Sequence, residues 1–229
     1  NAAIVMADAD LDAAARALAM SAFGFAGQRC TATRRVIVEE SVRGRFTEIL
    51  LSEIAKLRVG DPLEPATRVG PLVSAARRKE VMAAVARALV IDGGRLLSGG
   101  AVPREFEQGS WYLPTLVDGL EPEAALVQQE TFGPVAVIQA AKDFADAIRL
   151  CNGVGQGLVA SFFSSDAGRQ RQFLASAEAG ILRLNPSVFP VAADAPFGGW
   201  KSSGMGPPEH GRWDREFFAR PQAIYGELP

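Results

Sequence analysis

Residues 134–164, "PVAVIQAAKDFADAIRLCNGVGQGLVASFFS", decide the fold class. "PVAVIQA" (134–140) is a short apolar run that reads as a buried strand, and "LVASFFS" (158–164) is another. Between them Phe144, Ala147, Ile148 and Cys151 recur at i, i+3, i+4 and i+7, which predicts a helix from Asp143 to Cys151 with those four on its apolar face. Strand, helix and strand in succession indicate a parallel pair with a crossover.

The same alternation extends to both sides. "AAIVMA" (2–7) predicts a strand, and "DADLD" (8–12) supplies N-cap acids for a helix on which Leu11, Ala15, Leu18, Ala22 and Phe25 recur, with Gly27 as its C-cap. "RVIVEE" (35–40) predicts a strand, followed by a helix lined by Phe46, Ile49, Leu50, Ile54 and Leu57. After the loop 59–71 comes a helix over 74–91, with Val81, Val85 and Leu89 on one face. Strands are expected at 95–98, 111–120 and 181–185, and a helix over 166–179. The expected fold is therefore α/β, a largely parallel sheet flanked by helices. Residues 196–211 read as a Gly/Pro/Ser loop, and "QAIYG" (222–226) as a lone terminal strand suited to pairing with another subunit.

Composition narrows the function classes. The chain has 229 residues, 48% of them apolar, enough for a substantial core. Its 24 basic and 26 acidic residues give a net charge of −2 with no basic stripe, which argues against nucleic acid. No apolar run is long enough to span a bilayer, and two cysteines are too few for a disulfide framework; a cytoplasmic setting is expected. One histidine and two distant cysteines give no metal-ligand cluster, so no metal is expected. "GVGQG" (153–157) precedes a strand rather than following one, and the chain has no dinucleotide fingerprint.

The chemistry centres on "GFAGQRCTAT" (24–33). Cys151 falls on a helix face and reads as core, whereas Cys30 lies outside any periodic run, between Arg29 and Thr31, with Arg34 and Arg35 close in sequence. Neighbouring cations favour a reactive thiolate, although all three arginines are free to point elsewhere. His210, in a Gly/Pro loop, reads as a solvated residue, Glu130 as a solvated helix terminus and Asn185 as a strand-end or turn residue.

Three motifs then agree in order. "FGFAGQRCTAT" resembles the catalytic-cysteine motif of the NAD(P)-dependent aldehyde dehydrogenases, and "QQETFGPVAVI" resembles their Glu-x-Phe-Gly-Pro motif. "LRLNPSVFPVAADAPFGGWKSSGMGPPEHG" looks like their strand-end asparagine and Pro-Phe-Gly-Gly-x-Lys-x-Ser-Gly loop. The resemblance covers essentially the whole chain. It implies a catalytic domain over 1–211 and an oligomerisation segment over 212–229, giving a homodimer or homotetramer through the C-terminal strand.

It further implies Cys30 as the nucleophile that attacks an aldehyde, with its backbone N–H as one oxyanion donor. Glu130 would accept from the nicotinamide ribose of NAD or NADP, and Phe132 would pack by the nicotinamide. Glu209 would serve proton relay, with Gln28, Asn185, Phe197 and Gly198 as active-site support. The small-molecule substrate is an aldehyde, with semialdehyde-oxidising members the most similar. By the same resemblance the general base and most of the cofactor site lie upstream of Asn1, so the isolated chain is expected to be inactive as a dehydrogenase. Its alternatives are a folding and oligomerisation module or a cysteine-dependent esterase. Gln156 and Pro208 depart from the family pattern, which usually has tyrosine and often arginine there.

Overall fold

The computed structural model describes residues 1–189 and 191–227. Strands β1 (Ala2–Val5), β2 (Arg35–Glu39), β3 (Arg95–Ser98), β4 (Thr115–Asp118), β5 (Val135–Ala141), β7 (Val159–Phe163) and β8 (Ile181–Leu184) form one sheet, in the order β3-β4-β5-β2-β1-β7-β8. A separate pair joins β6 (Gln156–Gly157) to β9 (Trp200–Lys201). Every contact in the large sheet is parallel except β3 on β4, an antiparallel edge that the sequence reading did not anticipate.

The helices cover both faces, which is why β1 and β7 are buried along their whole length. On one face lie α1 (Leu11–Phe23), α2 (Glu40–Ala55), α3 (Ala75–Val90) and the short α4 (Ala125–Gln128), and on the other α5 (Phe144–Asn152) and α6 (Ala167–Ser176). Helix α7 (Asp214–Phe218) stands near the C-terminus. Four helix starts are fixed by a side-chain cap: Asp10, Ser74, Asp143 and Asp166 each accept a backbone N–H from the first turn. The faces expected from periodicity are those buried. Leu18, Phe46, Leu50, Val81 and Val85 are all at most 2% exposed, each such burial contributing about 1.5–3 kcal/mol.

Two expectations need correction. Helix α1 is capped at Gly24, not Gly27, so Phe25 leaves the apolar face and is 74% exposed. The strand expected over 111–120 shrinks to β4, because Pro114 has no N–H for a ladder and the chain turns at Gly119. Residues 222–226 pair with no described residue, and Ile224 and Tyr225 lie exposed, which leaves the segment's edge open. Cys151 is buried as expected, and burial pushes its thiol pKa up.

Candidate active site

The chain reaches Cys30 through an unusual turn. Phe25, Ala26 and Gly27 take φ values of 56°, 54° and 66°, three consecutive left-handed residues where α1 gives way. Gly27 is required twice over, by its φ and by proximity: a Cβ there would lie 2.1 Å from the carbonyl oxygen of Gly133. The cysteine turn therefore rests directly on the "TFGP" turn that follows Glu130.

Two amides hold the turn in place. Gln28 accepts from the Val73 N–H at 2.8 Å and donates to the Pro71 and Phe25 carbonyls, both at 3.3 Å. Asn1 donates to the carbonyls of Cys30 and Ala32, at 2.7 and 2.8 Å, and accepts from the Val159 N–H at 3.0 Å. Cys30 thus has its carbonyl tied down, its N–H donating to no described residue and its thiol on an exposed residue.

Cys30 stands between two clefts. One, about 460 Å³, is walled by Leu158, Phe197, Met205, Phe217, Glu209 and the glycines of 198–206. The other, about 270 Å³, contains Glu130, Arg34, Gln156 and Ser203. Phe197 and Glu209 exchange backbone hydrogen bonds of 2.8 and 3.0 Å, with Pro208 packed over Gly198. The proline at this position is thus accommodated in a paired loop. Gln156 donates to the Gln128 carbonyl, joining the second cleft to α4.

Not every expected residue arrives at the thiol. Asn185, at φ 43°, brackets Ser164 by accepting its N–H at 3.0 Å and donating to its carbonyl at 2.9 Å. The parallel register puts that clamp at the carboxyl end of β7 and β8, the opposite end of the sheet from Cys30. Asn185 therefore acts on the strand ends from which the chain starts its return to Phe197. Phe132 is half-buried in a left-handed conformation and lines neither cleft.

Of the arginines near Cys30 in sequence, Arg34 lines the second cleft with it, and the other two are engaged elsewhere. Arg29 lies over the Phe25 ring, Arg34 donates to Leu126, and Arg35 donates to Leu150 and Cys151 at the end of α5. Burial lowers the Arg34 pKa to about 10, with Glu130 pulling the other way. His210, expected to be solvated, is half-buried against the Phe197 ring at 5.4 Å.

Sequence reasoning missed several contributors. Asn1 lies at a strand start, and only the register of β1 beside β2 and β7 reveals that its side chain reaches Cys30. Ser203 lines both clefts and accepts the Gly157 N–H at 3.1 Å. Lys201 donates to the carbonyls of Asn152 and Val154 and pairs with Glu178 at 2.6 Å, pinning the 196–211 loop to the end of α5 and to the segment after α6. Among the described residues no His/Cys/Asp/Glu cluster suits a metal, and no helix is long and apolar enough to cross a membrane.

Fold and site together define an α/β domain built to present one thiol between two clefts. The aldehyde dehydrogenase family model matches residues 1–224, and the chain belongs to that family. It is 33% identical over 230 residues to the alpha-ketoglutaric semialdehyde dehydrogenase of Bacillus subtilis, covering 98% of this chain and 46% of that protein. It is 38% identical over 203 residues to the vanillin dehydrogenase of Pseudomonas fluorescens, covering 89% of this chain and 41% of the relative. A crystal structure of Staphylococcus aureus betaine aldehyde dehydrogenase in complex with NAD+ superimposes with a TM-score of 0.91 at 29% identity, over 95% of this chain and 43% of that one. The chain thus spans under half the length of the relatives it matches.

Proposed function

We propose that the protein containing this chain oxidises aldehydes to carboxylic acids with NAD or NADP, and that Cys30 is the nucleophile. The observation that supports this best is the setting of Cys30: an exposed thiol with an unengaged N–H, between a cleft walled by Phe197 and Glu209 and one containing Glu130. The Cys30 sulfur adds to the aldehyde carbon, and the carbonyl electron pair moves to oxygen, where the Cys30 N–H donates to it. One such preorganised donor is worth roughly 3–4 kcal/mol of barrier. When bound, the nicotinamide supplies the two-electron acceptor for the hydride. Loss of that hydride leaves a thioester on Cys30; water then adds, the C–S bond breaks, and the acid and the thiol are released.

The residues present fit such a cofactor in part. Nothing among the described residues hydrogen-bonds the exposed Glu130 carboxylate, so both oxygens can accept from ribose hydroxyls beside Cys30. Phe132 as the neighbour of the nicotinamide rests on the family resemblance alone. Glu209 is the carboxylate on the opposite side of the thiol, suited to passing a proton to solvent. Because the chain spans under half of its relatives, our reading holds that it sustains no dehydrogenase turnover by itself. Continued NADH production by the chain alone would refute that. Segment 222–226 is proposed to pair with a second copy, and deleting it should convert an oligomer to a monomer in light scattering.

A semialdehyde substrate is favoured by the sequence resemblance and by the name of the Bacillus subtilis relative. A second reading, a neutral apolar aldehyde, is favoured by the cleft wall, where Leu158, Phe197, Met205 and Phe217 stand beside Glu209 with no cationic side chain. The experiment for the function is Cys30→Ala in the full-length protein. The expected result is a loss of about 10³-fold or more in kcat, with Cys151→Ala retaining activity. Wild-type turnover by Cys30→Ala would sink the proposal.

A further inference from the structure

We propose that Asn1 is a positioning residue for the chemistry of Cys30: its carboxamide holds the cysteine turn so that the Cys30 N–H stays aimed at the oxygen of the bound aldehyde. The inference rests on the reading of Cys30 as the nucleophile.

Residues 29–32 form a tight turn closed by one backbone hydrogen bond, from the Ala32 N–H to the Arg29 carbonyl at 3.0 Å. In a trans peptide the carbonyl and the N–H point in opposite directions. Because the Arg29 carbonyl faces into the turn, the Cys30 N–H of the same peptide faces out of it. The direction of that N–H therefore depends on the turn staying closed.

Asn1 supplies the constraint that the one backbone bond lacks. Its Nδ2 donates to the carbonyls of Cys30 and Ala32, at 2.7 and 2.8 Å, so a single amide nitrogen spans the turn. Its Oδ1 accepts from the N–H of Val159, the residue after Leu158, which lines both clefts. No other side chain among the described residues bonds to the backbone of 29–32. Asn1 is itself fixed through its main chain, where its carbonyl accepts from the Arg34 and Arg35 N–H groups, both at 3.2 Å. Cysteine turn, strand start and cleft wall thus meet on one carboxamide.

Two reactions of the same sulfur separate this role from simple scaffolding. Addition to an aldehyde moves the carbonyl electron pair onto oxygen, so it needs both the sulfur and a correctly aimed N–H. Alkylation by iodoacetamide forms an S–C bond as iodide leaves and builds no oxyanion. It needs the thiolate alone.

The test is Asn1→Ala in the full-length protein, with kcat/KM read as NADH formation and the alkylation rate constant measured beside it. A fall in kcat/KM of about 10²-fold is expected, mainly in kcat. Alkylation should stay within about threefold of wild type, because the sulfur keeps its exposure. If Asn1→Ala does not fold, Asn1→Ser, the smaller change, decides by the same ratio. A kcat/KM within about threefold of wild type would overturn the proposal, and so would alkylation that falls as far as turnover. Wild-type turnover by Cys30→Ala would instead bring down the nucleophile reading itself, whereas an inert Cys30→Ala beside a fully active Asn1→Ala removes only the role of Asn1.

Discussion

Gly27 shows what one residue controls. A β-carbon there would press on the Gly133 carbonyl from a backbone at φ 66°, so Gly27→Ala is expected to cost about 2–4 kcal/mol of stability in urea denaturation. It should also disturb the Glu130 turn along with the Cys30 turn. The sequence marks Gly27 as a helix cap, and the close approach to Gly133 cannot be read from spacing, because the two are far apart along the chain.

Asp118 carries a second prediction at this scale. Burial alone would raise its carboxyl pKa, but hydrogen bonds from Arg43, Arg95 and the Gly119 N–H more than reverse this and hold it below the ordinary range. Its stabilisation is therefore fully present above the unfolded-chain pKa of about 3.9 and is lost as pH falls through the lower folded value. Arg95 is mostly exposed and screened, so Arg43 contributes more. Asp118→Asn should lose about 1–3 kcal/mol at neutral pH, and its deficit relative to wild type should shrink at pH 3. Denaturant titrations at the two pH values measure both effects.

Among the elements, the 196–211 loop and the cysteine turn depend on a few tethers rather than on periodic structure. Lys201→Met removes two carbonyl contacts and an ion pair, and should lower stability by about 1–2 kcal/mol in thermal or urea unfolding. Gln28→Ala frees the Val73 N–H, whose hydrogen exchange should quicken about tenfold or more while α1 stays protected. Helices and buried strands were legible because their periodicity is a property of consecutive residues. The acids of residues 8–12 even marked the start of α1, which Asp10 caps. What escaped was set by distant partners: the antiparallel edge β3, the short β4, the displaced Asn185, and Asn1 bracing Cys30.

At the scale of the molecule, Cys30, Glu130, Phe197 and Glu209 were legible as a set only through ordered motifs, since nothing in local pattern links them. The folded chain brings these four to adjoining clefts. The wall beside the thiol gives a measurement that separates the two proposed substrate classes: kcat/KM of the full-length protein, read as NADH formation, should be about tenfold or more higher for vanillin than for succinate semialdehyde if the apolar wall governs, and the reverse if the substrate is a semialdehyde.

The parallel order of the sheet also gives the molecule an electrical polarity. In each βα unit the helix runs back against its strand, so α1, α2, α5 and α6 all end at the edge where Cys30 lies. Each helix end carries roughly half a negative charge. Helix ends of that sign call for cations, and Arg35 and Lys201 meet the carbonyls that end α5, while the helix beginnings gather at the far edge, where the dipole has the opposite sign.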